Sequence, residues 1–244
     1  MTSDKPRRFT FLLLDRFTML PFTAAIEPLR LANRAAGRQL YSWRLVGPGK
    51  EWAACSNGTR VALDAGLDAD PAPEREDVII VCGGTDIARE ASKPVLNWLR
   101  KQARSGPTLG AVCTGTWILA EAGLLDGRKA TIHWENHDGF AEAFPQVDLY
   151  RSVFVNDGNR LTAAGGTSSI DMMLNLIAEA GKPLKAYDLL DQVREGDGPG
   201  AAAPPTVYRA LDFLLANGFI HKLQSVNAFV ACHHPSTAQH SVPF

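Results

Sequence analysis

Short apolar runs alternate along this chain with longer stretches whose apolar residues recur three and four positions apart. Phe9 to Leu14, Tyr41 to Val46, Asp77 to Val81 and Thr108 to Val112 each read as a strand. Their nearly unbroken apolar character is that of strands covered on both faces. Helical spacing appears from Phe22 to Ala36 (Ile26, Leu29, Leu31), from Val95 to Ser105, from Thr116 to Glu121 and from Ile170 to Ala180. Pro28 lies inside the first of these and marks either its first turn or a kink. Val61 to Leu63 and Lys129 to Ile132 are short strand candidates. Ser152 to Asn156 and Arg160 to Ala164, joined by Asp157-Gly158-Asn159, read as a β-hairpin. Strands alternating with helices predict an α/β fold with a mostly parallel sheet between two helical layers. Ligands of such sheets bind beyond the carboxyl ends of the strands. Glycine-rich ends after Val81, Val112 and Ala164 are expected to meet there.

The pattern changes near Gly181. A helix is expected from Ala186 to Glu195, followed by the linker-like run Gly-Asp-Gly-Pro-Gly-Ala-Ala-Ala-Pro-Pro. Thr206 to Ala216 is strongly helical, with Val207, Leu211, Leu214 and Leu215 in phase and Asn217-Gly218 as its stop. Phe219 to Leu223 and Ala228 to Cys232 then read as two strands. Helix, helix and a two-stranded wing outline a small C-terminal winged helix, a second unit after residue 181.

At 244 residues, 45% apolar and 21% charged, the composition is that of a globular protein with a sizeable core. A net charge of −1 excludes a global basic field for nucleic acid or anionic membrane. No stretch approaches the length of a membrane span. Cys55, Cys82, Cys113 and Cys232 are widely spaced and form no C-x-x-C pair. With no export segment ahead of them, reduced thiols and a cytoplasmic location are expected.

The richest local chemistry is Gly110-Ala111-Val112-Cys113-Thr114-Gly115. A strand that turns sharply into a helix lifts the turn side chain above the sheet edge, and flanking glycines allow the tight bend. A thiol at the positive end of a helix is favoured as thiolate. Such a turn presents a nucleophile, holds a small polar ligand, or merely buries a cysteine. Glu27 is either exposed at a helix start or turned toward Cys113, where burial would keep it protonated beside the thiolate. His133, just after a strand end, is a base within reach of Cys113 or a simple hydrogen-bonder, and His137 is a weaker candidate.

Gly-Ala-Val-Cys-Thr-Gly, followed by Leu-Ala-Glu-Ala-Gly-Leu-Leu-Asp-Gly-Arg-Lys-Ala-Thr-Ile-His-Trp, resembles the ThiJ/PfpI superfamily with its class I glutamine-amidotransferase-like fold. Glu-Pro-Leu-Arg-Leu-Ala-Asn (Glu27 to Asn33) and the run from Thr162 to Leu174 extend the resemblance over residues 8 to 181. It is most similar to the sensor domain of AraC-type transcriptional regulators. The resemblance implies a flavodoxin-like three-layer sandwich, commonly a homodimer. It makes Cys113 the elbow cysteine, Glu27 the acid that approaches it and His133 the next histidine in the family's order. Gly84 and Thr114 would supply backbone donors around the thiol, and Gly166 would join the ligand-binding group. Most members of that branch are read as small-molecule sensors. Other superfamily members are cysteine-dependent hydrolases or hydratases, in which Cys113 would be the nucleophile.

In the tail, His221, Cys232 and His240 carry zinc-ligand chemistry, although structural zinc usually takes four such groups. Lys-Ala-Tyr-Asp-Leu-Leu, Pro-Pro-Thr-Val-Tyr-Arg-Ala-Leu-Asp-Phe-Leu, Gly-Phe-Ile-His-Lys-Leu and Asn-Ala-Phe-Val-Ala-Cys resemble the zinc uptake regulator branch of the ferric uptake regulator family. That resemblance implies zinc at His221, Cys232 and His240. It also implies a DNA-recognition helix bearing Thr206, Tyr208 and Arg209. The family's first helices and its dimerisation half have no counterpart here, so the sequence reads as a junction of two regulators near Ala180 to Pro183. From Lys182 onward, five basic residues are balanced by five acidic ones. Phosphate contacts from one such unit would be few, and pairing of two chains would be needed to double them. The expected whole is a transcriptional-regulator-like protein that senses a small molecule and contacts DNA, with no membrane partner.

Overall fold

A computed structural model describes residues 5–49, 51–69, 71–180, 184–185, 220–223 and 228–231. The chain divides into two compact units, Met1–Ala32 with Gln39–Met173, and Asn33–Arg38 with Leu174–Phe244.

The first unit is built on a seven-stranded sheet. Its strands are β1 (Arg7–Leu13), β2 (Tyr41–Gly47), β3 (Ala65–Gly66), β4 (Val78–Cys82), β5 (Thr108–Val112), β6 (Phe154–Asp157) and β7 (Arg160–Ala163). They lie in the order β6-β7-β5-β4-β1-β2-β3. Every pairing is parallel except the β6–β7 hairpin. The hairpin closes through Gly158-Asn159, with Gly158 at φ 67°, a conformation glycine adopts freely. The α/β expectation therefore holds for this unit.

Both sheet faces are covered, which is why the strands are apolar throughout. All five residues of β4 are buried. Leu12, Ile79, Val81, Leu109 and Ala111 join one core with Leu96 and Leu99 of the helix Lys93–Ala103 and Ile118 and Leu119 of the helix Gly115–Glu121. On β1 the alternate residue Phe11 instead meets Phe22 of helix Met19–Ala35 edge-on at 5.7 Å. Arg8 and Asp77 tie the starts of β1 and β4 together at 2.5 Å, with side chains only 23% and 10% exposed.

Several boundaries differ from the sequence reading. The first helix starts at Met19 and carries Pro28 well inside it, so that proline is not in the first turn. Its buried face is Pro21, Phe22, Ala24, Ala25, Pro28 and Leu29, which includes the proline ring itself. Arg60–Ala62 pairs with a strand not read in the sequence, Trp52–Ala54. Lys129–Ala130 pairs with Asp148–Leu149.

In the second unit, Ile220–Leu223 pairs antiparallel with Ala228–Ala231, which also pairs with Leu184–Lys185. The expected recognition helix at Thr206 to Ala216 lies outside the described residues.

One register row positions everything that follows. Leu13 pairs with Cys82, Cys82 with Val112, and Val112 with Ala163. Four parallel strands thus end at one level, and the chain beyond that row is tightly fitted. A Cβ on Gly84 would lie 1.9 Å from the Arg16 carbonyl oxygen, and one on Gly115 would lie 2.3 Å from that of Val81. These are backbone atoms, which cannot turn aside. Gly84→Ala should therefore lower the unfolding free energy by about 1–3 kcal/mol or more, read from a urea midpoint. Gly139, an exposed position of the helix His137–Ala143 with open space around it, is the counter-case. Gly139→Ala should raise stability by about 0.4–1 kcal/mol in the same assay.

Candidate functional site

Cys113 is the first residue past that row, between β5 and the helix Gly115–Glu121. Its φ is 60°, one of three non-glycine residues with positive φ among the described residues. That conformation costs a residue with a Cβ about 1–2 kcal/mol. It is held by hydrogen bonds on either side. Cys113 N–H donates to the Ala163 carbonyl at 3.0 Å, and the Thr114 hydroxyl donates to the Gly84 carbonyl at 2.7 Å. The strand-to-helix elbow expected from Gly110 to Gly115 is present.

The bend aims the sulfur at the loop after β1. Sγ lies 3.9 Å from the Thr18 hydroxyl oxygen, and Thr18 N–H is in turn fixed on the Gly83 carbonyl at 3.0 Å. Cys113 is 5% exposed. Burial pushes its thiol pKa up. The Thr114 N–H, then the Thr18 and Thr114 hydroxyls, pull the other way, while the charge of Glu135 adds to the rise. The net direction is upward, against the thiolate expected at a helix start. The helix behind Cys113 has only seven residues, and burial is the largest cause of the shift. Cys82 at the end of β4 is fully buried, and its thiol is driven higher still.

Beyond the sulfur opens a cleft of about 640 Å³. Thr18, Gly84, Cys113, Thr114 and His133 line one part of it, and Asp86, Arg89, Trp117, Glu135 and Asn136 another. His133 Nδ1 stands 3.8 Å from Glu135 Oε2. The His133 ring and Sγ approach the same glycine. A Cβ on Gly165 would lie 2.8 Å from His133 Cδ2 and 3.5 Å from Sγ. Gly165, at φ 116°, is what lets the β7 loop pass between them.

Of the residues singled out from the sequence, Cys113, His133, Gly84 and Thr114 come together here. Gly166 does not line the cleft; its neighbour Gly165 makes the close approach. Glu27 takes the exposed one of its two expected placements, not the approach to Cys113 that the resemblance implies. Its carboxylate takes hydrogen bonds from Arg30 at 2.8 and 2.5 Å and is 49% exposed. Those bonds hold its pKa below the usual range, the reverse of a buried, protonated acid. The cause is helical phase, since Glu27 lies off the buried face of its helix. Thr18, Glu135 and Trp117 are not among the residues singled out from the sequence, whereas Gly165 opens the glycine-rich end after Ala164 that was expected there. The signal for Thr18 was present: it follows the first parallel strand, and its loop must end beside the others. Thr206, Tyr208, Arg209, Cys232 and His240 lie outside the described residues, and for His221 only its strand pairing with Val230 is described. Among the described residues no three His, Cys, Asp or Glu side chains gather as a metal site, and no helix is long and apolar enough to cross a membrane.

The DJ-1/PfpI family pattern matches residues 7–179, the span that carries the sheet, the elbow and the cleft. This chain belongs to the DJ-1/PfpI family. Among relatives of this DJ-1/PfpI protein, the HTH-type transcriptional regulator GbdR of Pseudomonas aeruginosa is 46% identical over 182 residues, covering 74% of this chain and 49% of that one. A solved AraC family transcriptional regulator from Pseudomonas putida superposes with a TM-score of 0.62 at 27% identity, covering 84% of this chain and 100% of that one. A second kind of relative, the zinc uptake regulation protein of Escherichia coli, is 52% identical over 61 residues, 25% of this chain and 34% of that one. The chain spans about half the length of the GbdR-type relatives it matches.

The direction of the Cys113 shift has a direct consequence. Iodoacetamide should label Cys113 slowly at neutral pH, its rate rising only above the range where free cysteine ionises, as followed by mass spectrometry of the tryptic peptide. Thr18→Val removes a hydrogen bond that favours the thiolate and should move that rise to still higher pH. Complete labelling within minutes at pH 7 would contradict the burial argument.

Proposed function

We propose that this protein is a transcriptional regulator whose DJ-1/PfpI domain senses a small molecule in the Cys113 cleft. The observation that carries this reading is the state of the thiol. It faces an open cleft, yet burial pushes its pKa up, and its hydrogen-bond partners are Thr18 and Thr114, not a base. A nucleophile needs the thiolate or a base to make it. A thiol whose ionisation is opposed by burial, among threonine hydroxyls, is instead a polar contact suited to a bound ligand. The GbdR-type relatives, named as transcriptional regulators, support the same reading.

In this proposal the residues after 181 supply the DNA contact. Thr206, Tyr208 and Arg209 sit on the recognition helix, and zinc on His221, Cys232 and His240 stabilises the unit. Two chains pair so that two weak modules act together. The relative that carries this part is the zinc uptake regulation protein. A second reading, a cysteine-dependent hydrolase or hydratase, is favoured by the strained elbow itself. There Thr114 N–H could hold a developing oxyanion beside Cys113.

Selection of bound sequences from a random double-stranded DNA pool by the full chain, with zinc and with chelator, tests the regulator reading. An enriched motif with zinc, lost with chelator and in Arg209→Ala, is the expected result. No enrichment in either buffer would overturn it.

A further inference from the structure

A second cavity, of about 460 Å³, opens at the carboxyl ends of β1 and β2, within the range of volumes that hold small ligands. Leu13, Pro48 and Ala53 make it largely apolar. Trp52, 43% exposed, closes one side. Asp15 and Glu51 bring two carboxylates to its wall.

Neither carboxylate is ion-paired among the described residues, and two of the cations near them in sequence are engaged elsewhere. Arg16 pairs with Asp86, and Arg60 lies over the Trp52 ring at 4.0 Å. Lys50 lies outside the described residues. The Arg60 contact also demonstrates the chemistry of the ring, since its π face already takes a cation. Glu90 places a further carboxylate beside Asp15, accepting the Asp15 N–H.

We infer that this cavity binds a small organic cation, an ammonium group on a short apolar body. The apolar body would lie against Leu13, Pro48 and the indole. The ammonium would meet the carboxylates of Asp15 and Glu51, which no other described group satisfies. The cavity is separate from the Cys113 cleft, because the two share no lining residue. They do share one loop, which presents Asp15 to one side and Thr18 to the other. Nothing in this inference depends on the regulator reading.

The test is an NMR titration of the full ¹⁵N-labelled chain with benzylamine, charged at pH 7.5, and with benzyl alcohol, its neutral counterpart. The chain has five tryptophans, and Trp52→Phe assigns the indole signal that matters. Benzylamine should shift the Trp52 indole N–H saturably, and benzyl alcohol at equal concentration should not. Asp15→Asn and Glu51→Gln should each weaken binding by up to about fivefold, and added NaCl should weaken it in the unsubstituted chain. Both residues are exposed, so these variants serve even if Trp52→Phe unfolds. No saturable shift at Trp52, equal shifts from the alcohol, or shifts confined to Trp117 of the other cleft would overturn the inference.

Discussion

The positive φ of Cys113 is the constraint on which the site depends. Parallel strands β1, β4, β5 and β7 end on one register row, and the chain must leave that row into helices and loops that all want the same space. Glycine resolves the crowding at Gly84, Gly115 and Gly165, where any Cβ would strike a carbonyl oxygen or a side chain. At Cys113 a side chain is kept, and the backbone takes the left-handed conformation instead. Hydrogen bonds to Ala163 and Gly84 from the two residues at the bend offset that cost. Strain held by its surroundings in this way marks positions where a side chain must point somewhere particular.

Where it points decides the chemistry. The sulfur enters a space between the β1 loop and the His133 segment, largely shielded from water but opening on a sizeable cleft. Loss of water around a thiol disfavours its anion more than three neighbouring donors recover. The same elbow that would sharpen a nucleophile on a more open surface here holds a thiol whose ionisation burial opposes.

Much of this was legible in the chain. Strands buried on both faces announce themselves as unbroken apolar runs, and a Cys between close glycines at a strand end announces an elbow. Helical phase was also legible, and it favours the exposed placement of Glu27 over the approach to Cys113 that the resemblance implies. Glu27 belongs with Arg30 three residues on, an exposed pair across one turn, while Phe22, Ala25 and Leu29 share the buried side. Starting that helix at Phe22, not Met19, obscured the loop that delivers Thr18. Thr18 lies in a turn, where no periodicity exists to be read, and only the shared level of the strand ends reveals it, whereas Gly165 opens a glycine-rich end legible after Ala164. The raised thiol pKa was not legible, because desolvation depends on what packs around the sulfur from four separate segments.

Replacing Cys113 by glycine and by alanine, and comparing the two unfolding free energies, tests the central claim most directly. Elsewhere alanine is the more stable of the two by roughly 0.5–1 kcal/mol, because glycine loses more freedom on folding. If the elbow holds residue 113 in the left-handed conformation, the order reverses and Cys113→Gly is at least as stable as Cys113→Ala. An alanine variant more stable than the glycine variant by that ordinary margin would contradict the account.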